Sequence, residues 1–158
     1  MIKKAIKLLL MDVDGTLTDG KINISEHGEL FKSFSIKDGL AIHDILPKLG
    51  IIPVIITGRE SLIVSNRCNE LGITHLFQGV SDKLSTLNNL LIDLKLDYSN
   101  CAYIGDDLND LECMQKCALK GCPIDAADEV KAVCDFVSTQ KGGDGAVREF
   151  IDFISSQK

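Results

Sequence analysis

The sequence predicts an α/β fold, a mainly parallel sheet flanked by helices, and three observations carry that prediction. Short, apolar, β-rich runs alternate with amphipathic stretches of helical period along the chain. The short runs are apolar at consecutive positions, the pattern of parallel strands covered on both faces. The length fits one layered domain: 158 residues, 45% of them hydrophobic, suffice for one buried core and are too few for a two-domain enzyme. A single domain over residues 1–158 is therefore expected.

The first strand is expected at Ile6–Met11, ending at Asp12. From Gly20 to Ile36 the alternation breaks. Lys21–Ser25 and Leu30–Ser35 read as two short strands around the polar turn Glu26–Glu29, a β-hairpin over about residues 20–36 that projects from the first strand's C-terminal edge. A helix over 38–49 follows, with Asp38 as its N-cap and Gly50 as its C-cap. The strand Ile51–Ile56 leads to Thr57. A helix over 60–71 closes at Gly72, and Ser81 opens one over 82–95. The strand Cys101–Ile104 runs into Asp106 and Asp107. Helices over 107–117, 126–133 and 145–155 and a last strand, Phe136–Val137, complete the pattern.

Charge and cysteine content exclude several functions. Seventeen basic against 23 acidic residues give a net charge of −6, so no broad electropositive surface for nucleic acid or anionic lipid is expected. No apolar stretch approaches the roughly 20 residues needed to span a bilayer. The charged start of the chain lacks the cleavage site of an export signal, which points to the cytoplasm. The six cysteines form no CxxC pair and have no nearby His at zinc-ligand spacing, so they are expected to be reduced thiols.

The chemistry gathers at the predicted strand ends. Asp12 and Asp14 follow the first strand, Thr57 the second, and Asp106 and Asp107 the strand that ends at Ile104. In an open parallel sheet these ends line one crevice, and four carboxylates brought together there call for a cation. Oxygen ligands without His or Cys select Mg²⁺, which also takes a substrate phosphate. Of two neighbouring carboxylates one can act as nucleophile and the other as proton donor and acceptor. Lys83, the Thr57 hydroxyl and the Gly58 N–H are the candidate donors to a phosphoryl group.

Four segments, Asp12-Val-Asp-Gly-Thr-Leu-Thr18, Ile55-Ile-Thr-Gly58, Lys83 and Gly105-Asp-Asp-Leu-Asn-Asp110, resemble in order the motifs of the haloacid dehalogenase (HAD) superfamily. The resemblance implies a Rossmann-like HAD fold with no cap domain. It implies that Asp12 forms an aspartyl-phosphate, that Asp14 is the acid/base, and that Mg²⁺ is held by Asp12, the Asp14 carbonyl and Asp106. Lys83 would neutralise the nucleophile and the phosphoryl oxygens. Asp107 and Asp110 would lie in the outer shell or orient Lys83.

Further stretches, among them Thr57-Gly-Arg-Glu60, Asn66-Arg-Cys68, Leu71 to Gly79 and Gly142-Gly-Asp-Gly-Ala-Val-Arg-Glu149, are similar to the phosphatases of 3-deoxy-D-manno-octulosonate 8-phosphate (KDO 8-phosphate) over nearly the whole chain. That similarity implies a lipopolysaccharide-precursor enzyme and a Mg²⁺-dependent homotetramer in which a neighbouring subunit closes the site. Its substrate contacts fall on Ser35, Ile36, Lys37, Asp38, Gly39, Gly58, Arg59, Arg67, Lys83 and Asn109, together with Asp14. This chain departs from the family at Asp38-Gly-Leu-Ala-Ile-His43, where the family often has Gly and then Arg or Lys. The departure bears on the sugar acid: His in place of a fixed cation weakens one anion contact. Phosphatases of nine-carbon sialic-acid-type 9-phosphates tend to carry Glu where this chain has Arg59, so Arg59 favours the eight-carbon substrate.

Other readings stay open at this point. A HAD domain can serve as a non-catalytic oligomerisation or regulatory module. Phosphoglucomutase-type transfer needs more enclosure than a hairpin offers, and a receiver domain places its phosphorylated Asp after a later strand. Arg67 taken alone is a helix-surface residue, His43 and His75 suit structural or interfacial positions, and His27 a solvated turn. The Gly142–Gly145 run suits a backbone that approaches a ligand or a neighbouring subunit.

Overall fold

The computed structural model describes residues 5–158. The lysine-bearing start at residues 1–4, part of the expected domain and of the segment read for an export signal, lies outside the described residues. In chain order the elements are β1 (Leu8–Met11), the hairpin strands β2 (Asn23–Ser25) and β3 (Gly28–Phe31), α1 (Ile36–Leu40), a π-helical turn (Ala41–Ile45) and α2 (Leu46–Leu49). They continue with β4 (Ile52–Ile56), α3 (Leu62–Leu71), β5 (His75–Phe77), α4 (Lys83–Leu94), β6 (Cys101–Ile104), α5 (Leu111–Lys116), β7 (Leu119–Cys122), α6 (Asp128–Val133), β8 (Phe136–Val137) and α7 (Ala146–Ser156).

Six strands form one sheet in the order β5-β4-β1-β6-β7-β8, every pairing parallel. The chain runs outward from β1 to β4 and β5, then crosses back to β6. The switch point lies between β1 and β6, the position where open α/β sheets bind ligands. Leu9, Met11, Ile55, Ala102 and Ile104 face one layer, packing on Ile42, Leu46, Val64, Phe150 and Ile151 from α1–α2, α3 and α7. Leu8, Leu10, Val54, Ile56 and Tyr103 face the other, against Leu87, Leu91, Met114 and Val130 from α4–α6. Burial on both faces is why these strands are apolar without alternation.

The structure departs from the sequence reading at identifiable places. β5 and β7 are additional strands. His75–Phe77 is only half-buried, and Leu119–Cys122 contains Lys120 and Gly121, so neither shows an apolar run. Ser35, not Asp38, caps α1, and Asp82, not Ser81, caps α4; Ser35 Oγ accepts from the N–H groups of Lys37 and Asp38. The helix expected over 38–49 begins at Ile36 and passes through the π-turn. Pro47, at the start of α2, has no N–H to donate, and the Leu46 N–H reaches back to the Ala41 carbonyl instead. The hairpin turn is tighter than expected: Ser25 pairs with Gly28, whose φ of +114° closes a two-residue turn at Glu26-His27. No helix of the described residues is long and apolar enough to cross a membrane.

Candidate active site

The loop after β1 is built around one carbonyl. The N–H groups of Thr16, Leu17 and Thr18 all converge on the Val13 oxygen at 2.9–3.2 Å, and Thr18 Oγ1 accepts from the N–H groups of Gly15 and Gly20, each at 3.2 Å. Gly15 has φ +94°, and a Cβ there would lie 1.9 Å from Asp106 Oδ2. Only glycine lets this loop pass so close to the Asp106 carboxylate. Thr16 Oγ1 then donates to Asp106 Oδ1 at 2.9 Å and orients it. Gly142 and Gly143 press on the same loop from outside: Gly143 N–H donates to the Thr16 carbonyl at 3.1 Å, and a Cβ at Gly142 would lie 1.8 Å from the Gly15 oxygen. The glycine run thus approaches the loop after β1 of its own chain.

Asp12 and Asp106 meet because β1 and β6 are in register, Met11 opposite Ile104, with the Asp12 N–H donating to the Ile104 carbonyl at 3.2 Å. Carboxylate oxygens of Asp12, Asp106 and Asp110 all lie within 4.8 Å of one another. Lys83, the first residue of α4, reaches in with Nζ 2.9 Å from both Asp12 Oδ1 and Asp110 Oδ1. Asp110, fully buried, also accepts from the Tyr103 hydroxyl at 2.7 Å and from the N–H groups of Asp106 and Asp107 at 3.1 and 3.3 Å. Gly105 makes room for it, since a Cβ there would come within 2.5 Å of Asp110 Cγ.

The charges are strongly perturbed. Burial, then the charge of Asp110, raises the Asp12 carboxyl above its ordinary range against the pull of Lys83. Burial, then the adjacent Asp12, pushes Asp106 from 3.8 up to about 8. Burial alone would lower Lys83, but Asp110 and Asp12 outweigh it and raise it. Two carboxylates in such contact need either a proton or a cation between them.

Mg²⁺ fits this donor set. Asp12 and Asp106 supply hard oxygen ligands, and Gly15 leaves open the space beside Asp106 that a side chain would fill. Asp110 belongs to the cluster but is spent, because its two oxygens already accept four donors. Its place is behind Lys83. With Asp106 pushed up to about 8 and Asp12 raised beside it, the metal-free protein is expected to hold one proton in the Asp12–Asp106 pair at pH 7. Because the folded value of about 8 exceeds the unfolded 3.8, Asp106 favours the fold below about pH 4 and loses that contribution as pH climbs toward 8. Metal binding at pH 7 is therefore expected to release about one proton, and apparent affinity to rise up to about tenfold per pH unit below pH 8. Titration calorimetry in buffers of different ionisation enthalpy checks the proton count; zero release at pH 7 contradicts it.

The remaining expected site residues divide into two groups. Asp14, 21% exposed at its side chain, is held by Lys32 Nζ at 2.6 Å from Oδ1. Thr57 is buried at the end of β4, its N–H donating to the Phe77 carbonyl; Gly58, Arg59 and Asn109 are exposed around the crevice. Asp107 caps the turn before α5, accepting from the Leu108 N–H, and does not touch Lys83. Ser35, Asp38, Gly39 and Arg67 line a small cavity with Phe34 and with Val13 and Leu17 of the loop after β1. There Arg67 packs over the Phe34 ring at 5.6 Å, and a Cβ on Gly39 would come within 2.4 Å of its Nη2. Asp38 is buried, and its Oδ1 accepts from the Arg148 N–H at 2.9 Å, tying α1 to α7. Burial raises its carboxyl to about 6. Arg67 Nε and Asp38 Oδ2 lack a partner among the described residues. Ile36 and Lys37 point to solvent.

Sequence reasoning missed Lys32 and Tyr103. Lys32 lies in the hairpin's exit with no motif around it. Tyr103 reads as one more apolar residue of a buried strand.

Comparison with known proteins gives concordant matches. A family model described as haloacid dehalogenase-like hydrolase matches residues 73–151. The 3-deoxy-D-manno-octulosonate 8-phosphate phosphatase KdsC of Escherichia coli (strain K12) is 44% identical over 149 residues, 94% of this chain and 79% of that protein. The crystal structure of the Moraxella catarrhalis phosphatase of the same name, in complex with magnesium ion, phosphate ion and KDO, matches with TM-score 0.92 at 43% identity, covering 97% of this chain and 87% of that one. The cobalt-bound form of the Haemophilus influenzae deoxy-D-mannose-octulosonate 8-phosphate phosphatase gives 0.90 at 36% identity, covering 96% and 88%.

Proposed function

The chain belongs to the haloacid dehalogenase-like hydrolases, among the KDO 8-phosphate phosphatases, and from that premise we propose that it hydrolyses KDO 8-phosphate to KDO and inorganic phosphate. The observation that carries the reading is the buried Asp12–Lys83–Asp110 arrangement with Asp106 alongside, at the switch point of the sheet. Phosphate-monoester hydrolysis is among the slowest uncatalysed reactions, and positioned charge is what accelerates it.

The Asp12 carboxylate attacks the phosphorus and forms an aspartyl-phosphate as the sugar oxygen departs. Asp14 gives that oxygen its proton, then takes one from the water that attacks the aspartyl-phosphate, returning Asp12 and releasing phosphate. Lys83 holds Asp12 in place and neutralises the gathering negative charge; the Thr57 hydroxyl and Gly58 N–H donate to phosphoryl oxygens. Mg²⁺, held by Asp12, the Asp14 carbonyl and Asp106, supplies the remaining charge neutralisation when bound. Arg59 and Arg67 are assigned to the sugar carboxylate and the far end of the substrate, with Asn109 and the Ser35–Gly39 segment around it.

A phosphate-release panel tests the substrate. KDO 8-phosphate is expected to exceed a nine-carbon keto-sugar-acid 9-phosphate and glucose 6-phosphate by at least about 10²-fold in kcat/KM, and release is expected to stop on chelation of Mg²⁺. Comparable rates on all three reject the assignment.

The whole chain acts as one catalytic domain in this reading, and a homotetramer completes the site. Ile24, Leu30 and Phe31 on the hairpin and Ile36 and Leu40 on α1 are exposed, an apolar surface that fits a neighbouring subunit. A fully active monomer in light scattering contradicts this. All six cysteines are free thiols, which fits residence in the reducing cytoplasm.

A further inference from the structure

We propose that Lys32 is a positioning residue for Asp14, the hairpin cation that sets the acid/base carboxyl against the leaving oxygen. The inference rests on the acid/base role of Asp14 proposed above.

Lys32 stands one residue beyond β3, in a hairpin whose strands are almost wholly exposed, yet its side chain is only 3% accessible. Its Nζ lies 2.6 Å from Asp14 Oδ1 and 3.0 Å from Glu29 Oε1. The other Glu29 oxygen accepts from Ser61 Oγ at 2.6 Å, and Ser61 is the N-cap of α3, its own N–H held by Gln78 Oε1 at 2.8 Å. A continuous polar chain thus runs from the start of α3 through the hairpin to Asp14.

Stability alone does not account for the arrangement. The Lys32 side chain is withdrawn from water, and the cost of desolvating and ordering a buried cation offsets much of the attraction of its partners. The hairpin's apolar residues Ile24, Leu30 and Phe31 stay exposed, so it is seated on the domain by polar groups, two of which converge on Lys32. What the contact does achieve is directional. One oxygen of Asp14 is committed to Lys32, and Oδ2, which has no hydrogen bond among the described residues, is the oxygen left for the substrate. Lys83 fixes Asp12 in the same manner from the opposite element. A proton donor misplaced by about 1 Å costs about 10²-fold in rate.

The test uses the full chain and two esters that differ in their need for a proton. The sugar phosphate has a poor alkoxide leaving group; para-nitrophenyl phosphate has one that departs unprotonated. Lys32→Met is expected to lower kcat/KM on the sugar phosphate about 10²-fold and kcat/KM on para-nitrophenyl phosphate less than about threefold, because kcat/KM reports formation of the aspartyl-phosphate and not its later hydrolysis, in which Asp14 serves both esters alike. Lys32→Arg is expected to recover most of the loss. Glu29→Gln, which loosens Lys32 without removing it, is expected to show the same split at about tenfold, and carries the test if the Met variant does not fold. Equal losses on both esters, or no loss on either, overturn the proposal. Asp14→Asn serves as reference. A split there without one in Lys32→Met overturns the role of Lys32 alone, whereas no split in Asp14→Asn overturns the acid/base reading and this inference with it.

Discussion

Asp12→Asn is expected to abolish Mg²⁺-dependent phosphate release, lowering kcat at least about 10⁴-fold, while the protein melts within a few degrees of the parent. Both halves follow from the same geometry. The amide cannot form the aspartyl-phosphate, so the rate falls to what positioned charge alone supplies. The fold should tolerate the change, because the Asp12 carboxyl is already disfavoured by burial and by the charge of Asp110. Lys83 keeps its second partner, Asp110, at 2.9 Å. Thermal melting and phosphate release on one preparation check the two together. Undiminished turnover rejects Asp12 as nucleophile.

Lys83→Met should behave differently, losing stability and activity at once. Lys83 is 5% exposed at its side chain, and its partners Asp12 and Asp110 are 7% and 0% exposed. Removing the cation strands two carboxylates in the interior. Breaking such a buried arrangement costs about 3–5 kcal/mol, less whatever protonation of Asp12 recovers. An unfolding free-energy loss of that size, read from the urea midpoint shift multiplied by m, is expected at pH 7.5, shrinking toward lower pH as Asp12, whose carboxyl burial already raises, takes up a proton. Phosphate release should be lost even where the variant is folded. A variant of parental stability places Lys83 outside the buried network.

The contrast between these two residues shows how far the sequence could be read. Order and residue type were enough to bring Asp12, Asp106 and Lys83 to one place, because each stands at a strand end or helix start where the parallel pattern converges. The strands of consecutive apolar residues, such as Leu8–Met11 and Cys101–Ile104, were legible for the same reason: burial on both faces writes itself into every position. Strands that lack that burial were not. β5 is half-buried at the sheet's edge, and β7 has Gly121 where the Phe150 ring approaches within 2.6 Å of a would-be Cβ, so packing replaced the expected side chain with none.

Roles set by distant contacts were illegible too. Asp38 has the look of a helix N-cap, but Ser35 does the capping and Asp38 turns inward to the start of α7, 110 residues on. Ser81 has the same look, but Asp82 does the capping because its Oδ1 reaches the Ser85 N–H at 3.0 Å. The division of labour within Asp106-Asp-Leu-Asn-Asp110 also needed coordinates. Only the hydrogen-bond partners separate Asp106, open toward the crevice, from Asp110, saturated behind Lys83, and from Asp107, which caps a turn.

In the proposed mechanism Asp12 carries the phosphoryl group beside a Mg²⁺ that Asp12, the Asp14 carbonyl and Asp106 would hold. A crystal structure of the protein grown with Mg²⁺ and beryllofluoride, which mimics an aspartyl-phosphate, tests it most directly. The fluoride complex is expected on an Asp12 carboxylate oxygen, with Lys83 still bridging Asp12 and Asp110 and no metal bond from Asp110. Beryllofluoride on a different carboxylate, or Asp110 as a metal ligand with Lys83 displaced, would contradict it.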